Sequence, residues 1–86
     1  MKPQKVTVEN EREERQRALC DQIVYRAARM MLGEVKAPMP MVLDRLLTFA
    51  AAQAVAVDGE VKTALAFRVL ADRIEAGLFR QEDNTP

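Results

Sequence analysis

Chemistry in this chain must come from a short roster, because it contains no histidine, no serine and no tryptophan, and only one cysteine and one tyrosine. General acid–base catalysis most often uses histidine, and nucleophilic catalysis uses an activated serine, cysteine or lysine. The remaining candidates are Cys20, Thr48, Thr63, Tyr25 and the carboxylates. Cys20 falls on the apolar stripe of a predicted helix with no base near it in sequence, so a small buried core residue is expected there. Glycines stand alone at 33, 59 and 77, which leaves no glycine-rich phosphate loop. Asp58-Gly59-Glu60 is too short for a calcium loop, and the ligands of a zinc site are missing. The expectation is a protein that is not an enzyme and uses no cofactor or metal.

Three other patterns point to binding. Val61, Leu65 and Val69 follow one another at i, i+4 and i+8, on the side of their helix roughly opposite its main apolar stripe at about 100° per residue. Arg68, Asp72 and Glu75 lie beside that line, so it is not the edge of the stripe. Apart from Met1, every methionine falls at 30, 31, 39 or 41, around one predicted loop. Flexible, polarizable side chains such as Met39 and Met41 either fill gaps under a loop or suit a surface that accepts a partner. Arg15, Arg26 and Arg29, with Tyr25 beside them, form the nearest approach to a basic ridge for an anion or nucleic acid, though a solvated face is the plainer reading.

Helices must position these residues. Asn10 reads as an N-cap with Glu13 as its capping-box partner, and Glu11, Glu13 and Glu14 suit a first turn. Glu11–Arg15 and Glu13–Arg17 are favourable (i, i+4) pairs. Leu19, Cys20, Ile23, Val24, Ala27, Ala28, Met30 and Met31 then cover one broad stripe, and Gly33 is a natural stop. Pro38 and Pro40 prevent a continuous helix, and Pro40 suits the first turn of the next one. Residues 41–57 predict a second helix with its seam at Leu43, Leu46, Leu47, Ala50, Ala54 and Val57. So apolar a helix is expected at the centre, wrapped by the others. Gly59 is expected to end it in a left-handed conformation, with Asp58 capping a third helix over residues 60–79. Phe67, Leu70, Ala71, Ile74 and Leu78 make the main stripe of that helix, and Gly77 weakens its last turn.

The fold class expected is all-α: a small three-helix bundle, trihelical and helix-turn-helix-like in layout, with flexible termini. Residues 1–9 read as a flexible arm, 10–79 as a single domain and 80–86 as a disordered tail. A core from roughly seventy residues is marginal, and association is a common remedy. The layout resembles that of helix-turn-helix domains in general. Such a domain needs a recognition helix whose early residues reach bases and phosphates. Here those residues are Glu60, Val61, Lys62, Thr63, Ala64 and Leu65, a poor reader of a polyanion.

Formal net charge is zero, with +2 over residues 1–33 and −1 over each of 34–59 and 60–86. Such a balance gives no long-range attraction for nucleic acid or an anionic membrane. No apolar run follows Lys2 and Lys5 as a secretory signal would require. The longest apolar stretch, about seventeen residues, reads as short of a membrane span. A cytoplasmic location is expected. The function expected is a non-catalytic protein–protein interaction module, a regulator of adaptor or antiactivator type. It would dock onto another protein, or onto a second copy as a homodimer, through the third helix and the methionine corner. The alternative is a trihelical DNA-binding protein using the arginine ridge of the first helix.

Overall fold

The structure, a computed structural model, describes residues 4–80. Three helices follow in chain order, α1 (Gln4–Gly33), α2 (Met39–Asp58) and α3 (Glu60–Glu75), with no strand among the described residues. The fold class is the expected one, all-α with three helices.

α1 starts ahead of the expected cap. Asn10 lies inside the helix, so Glu11, Glu13 and Glu14 are not in its first turn. Nothing between Gln4 and Glu9 breaks a helix, and Gln4, Lys5 and Glu9 are good helix formers. A capping box favours a start without forbidding propagation past it. Of the arm expected over residues 1–9, the backbone from Gln4 is therefore helical, and residues 1–3 lie outside the described residues. Glu13 and Arg17 form their ion pair at 3.7 Å. Both side chains are exposed, so it contributes a few tenths of a kcal/mol at most.

α1 ends at Gly33, but the left-handed residue of the following loop is Lys36, at φ 64. The Glu34 and Val35 N–H groups both donate to the Met30 carbonyl, at 2.8 and 3.2 Å, and occupy the end of the helix. The Pro38 carbonyl then accepts from the Met41 and Val42 N–H groups at 3.0 and 3.1 Å. Those bonds begin α2, and Pro40 in its first turn costs no hydrogen bond.

One residue separates α2 from α3. Gly59 has φ 91 and ψ 167, an extended conformation with positive φ that is essentially restricted to glycine. Its N–H donates to the Val55 carbonyl at 2.9 Å and its own carbonyl accepts from the Thr63 N–H at 3.1 Å. Gly59 is thus the last acceptor-bearing residue before α3, and Asp58 stays in α2 rather than capping α3. α3 stops at Glu75, short of the expected residue 79. Leu78 N–H donates to the Arg73 carbonyl and Gly77 N–H to the Ile74 carbonyl, both at 3.0 Å, with Gly77 at φ 89. This is a Schellman termination, so Gly77 ends the helix instead of weakening it. Of the tail expected over residues 80–86, Arg80 donates its N–H to the Gly77 carbonyl at 3.0 Å, and residues 81–86 lie outside the described residues.

With Met39, Pro40 and Asp58 included, α2 has 20 residues and is long and apolar enough to cross a membrane by length and composition. The apolar stretch of about seventeen residues expected from periodicity is shorter because it leaves out Met39, Pro40 and Asp58. The chain divides into two compact units, Met1–Asp44 and Arg45–Pro86, whose boundary falls within α2. The first holds Val42, which is wholly buried, with Ala27, Ala28, Met31 and Leu32 half-buried. In the second, Thr63 is buried, and Leu46, Ala51, Ala54, Ala64 and Phe67 are half-buried.

Burial corrects the expected core. Leu43, Leu47, Ala50 and Val57, four members of the α2 seam, are exposed, so α2 is not the wrapped centre. On α1, Leu19, Cys20, Ile23, Val24 and Met30 are exposed as well. Periodicity identifies which face of a helix is apolar; it does not say what covers that face.

Candidate interaction surface

The α3 line is exposed. Val61, Leu65 and Val69 are 82%, 58% and 42% accessible, while Thr63, on the opposite side of the helix, is 6% accessible. The helical repeat produces this contrast, since Thr63 stands about 160–200° around the axis from Val61 and Leu65. Arg68, Asp72 and Glu75 beside the line are exposed too. Exposure is not confined to this line, however. Along the main stripe burial falls with distance from Gly59: Phe67 is half-buried, whereas Leu70, Ile74 and Leu78 are exposed. The end of the second unit nearest the turn is packed through small residues, and the far end of α3 keeps its large aliphatic side chains in solvent.

The methionine corner forms part of a groove. In the first unit, Tyr25, Ala28, Arg29 and Leu32 of α1 face Met39, Val42 and Leu43 of α2 around a space of ≈ 580 Å³. Val42 is positioned there by the hydrogen bond from its N–H to Pro38, which fixes the first turn of α2. Met39 and Met41 are both exposed, and only Met39 lines the groove. Val42, wholly buried, lies outside the seam that helical spacing predicts for α2.

Arg15, Arg26 and Arg29 are all exposed. Arg29 is distinct, because its guanidinium carbon lies 5.7 Å from the centroid of the Tyr25 ring. That cation–π contact follows from their (i, i+4) spacing and holds the charge beside the groove. Among the described residues no carboxylate lies within ion-pair range of Arg29. Arg15 and Arg26 do not line the groove.

Of the residues weighed for catalysis, Cys20 and Tyr25 belong to the first compact unit and Thr48 and Thr63 to the second. Cys20 is exposed, contrary to the expected core position, because the α1 stripe at that level has no cover. Thr48 Oγ1 accepts a hydrogen bond from the Arg45 guanidinium at 3.3 Å. Thr63 Oγ1 is buried and has no hydrogen-bond partner among the described residues. Among those residues no group of three or more histidine, cysteine, aspartate or glutamate side chains could hold a metal ion. Comparison with known proteins finds no match: no family model, no curated protein and no solved structure matches the chain.

Proposed function

We propose that this chain is a non-catalytic interaction module that regulates by occupying a surface, docking through α3 onto a partner protein or a second copy. The single observation that carries the reading is the exposure of Val61, Leu65 and Val69 on the α3 face opposite buried Thr63. Covering an exposed valine or leucine fully is worth roughly 1.5–3 kcal/mol of transfer free energy, so three in a row reward a mate. Charged neighbours at Arg68, Asp72 and Glu75 supply the polar rim that interfaces have around an apolar centre. The regulatory assignment, adaptor or antiactivator, is an analogy with what small non-catalytic modules do.

Affinity capture with a tagged chain from its native cells tests this. Proteins that associate with the wild-type chain should be lost with Leu65→Glu, because a buried unpaired carboxylate costs several kcal/mol. Capture unchanged by Leu65→Glu and Val61→Glu would remove α3 as the docking surface.

DNA binding is the second reading, favoured by the exposure of Arg15, Arg26 and Arg29 along α1. It requires retention on duplex DNA that weakens as salt rises. The first turn of α3, with Lys62 offset by Glu60, adds nothing to it.

A further inference from the structure

The groove between α1 and the first turns of α2 lies wholly within the first unit and owes nothing to α3. Its space of ≈ 580 Å³ falls in the range of small-molecule sites, about 300–1,000 Å³. Leu32, Met39, Val42 and Leu43 give it aliphatic walls, and Val42 is wholly buried. Among the described residues that line it, Arg29 alone is charged. Asp21, Glu34 and Asp44, the acids nearest in sequence to its two walls, do not line it. The Arg29 guanidinium carbon stands 5.7 Å from the centroid of the Tyr25 ring. That contact sets the charge at the Tyr25 end of the groove, away from Gly33 and the loop. Among the described residues no carboxylate pairs with it. From Tyr25 to Leu32 the α1 wall runs about 10 Å, at about 1.5 Å per residue. A straight chain of about eight carbons, with C–C bonds of about 1.5 Å, has a similar length.

We propose that this groove is a binding site for a small amphipathic carboxylate, a medium-chain acyl anion with its tail along the aliphatic walls and its carboxylate on Arg29. An uncharged occupant would take water from the guanidinium without pairing it, which costs free energy. A small inorganic anion would leave the walls bare. A guanidinium can hold a carboxylate through two parallel N–H···O bonds, and the Tyr25 contact already orders it for that task. Met39, exposed and flexible, suits a wall that must close around a mobile tail. The site goes beyond the docking role of α3 and does not depend on it.

Equilibrium dialysis of the full chain against octanoate tests this, with 1-octanol and acetate as probes that lack the charge and the tail. Octanoate should bind saturably at one per chain, and both comparison probes at least tenfold more weakly. Tyr25 is the sole tyrosine and tryptophan is absent, so intrinsic fluorescence reports from the groove and should change along the same isotherm. Arg29→Gln should weaken octanoate binding at least tenfold and leave 1-octanol unaffected. Leu43→Glu changes a wall residue that is 53% accessible, so helicity should persist by circular dichroism while octanoate binding is lost. Leu65→Glu should bind octanoate as the wild type does. The proposal is overturned if octanoate shows no saturable binding, or binds no more tightly than 1-octanol or acetate. It is also overturned if neither groove variant changes the affinity, or if Tyr25 fluorescence stays constant as octanoate binds. Loss of octanoate binding in Leu65→Glu would place the ligand on α3 and remove the groove as its site.

Discussion

Thr63 shows most clearly how one position can be legible in part. Its place near the α3 main stripe follows from helical spacing, but its rank as the most buried residue of the helix does not. Burial there depends on the turn at Gly59, which brings the start of α3 into its packed surroundings. A buried hydroxyl without a partner costs about 1–3 kcal/mol. Thr63→Val keeps the β-branched shape and removes that hydroxyl, so it should raise stability by about 1 kcal/mol in urea unfolding. A fall in stability would mean that the hydroxyl is satisfied. Cys20 differs from its expected core position for the opposite reason, because an apolar stripe does not by itself imply cover. Its exposure predicts that a thiol reagent reaches it in the native state, before any unfolding. Arg29 against Tyr25 was within reach of the sequence as an (i, i+4) pair, yet the groove beside them required the path of the loop through Lys36 and Pro38.

At the scale of elements, breaks were easier to read than ends. Pro38, Pro40 and Gly59 separate three helices because proline and positive-φ glycine leave the backbone few alternatives. The start of α1 was missed since Asn10 offers a cap but nothing upstream resists the helix. The end of α3 was missed because Leu78 and Phe79 prolong the apolar pattern past Gly77, where the backbone has already turned. Gly59 gives the sharpest prediction at this scale. A Cβ added there meets nothing within 4 Å, so substitution is resisted by backbone conformation alone. Gly59→Ala should therefore cost about 1–3 kcal/mol in equilibrium unfolding. An unchanged unfolding midpoint would show that the turn does not use the conformation described.

Across the whole molecule, the balance of charge and the small size set the terms. A chain with zero formal net charge has no long-range field to draw a polyanion, so short-range apolar contact is the stronger resource. Apolar side chains are plentiful, and among the described residues Val42 is the only buried hydrophobic one. The amount of apolar surface was visible in the composition, and the faces that carry it were visible in the spacing. Its distribution between interior and exterior was not, because that depends on contacts between residues remote in sequence.

The central claim is that Val61 and Leu65 belong to a surface and not to an interior, and a charge placed at each position tests it most directly. Far-UV circular dichroism of Val61→Glu and Leu65→Glu should show wild-type helicity through the native baseline, with association lost. Loss of helical signal in both variants at native temperature would place the line in the core and contradict the account.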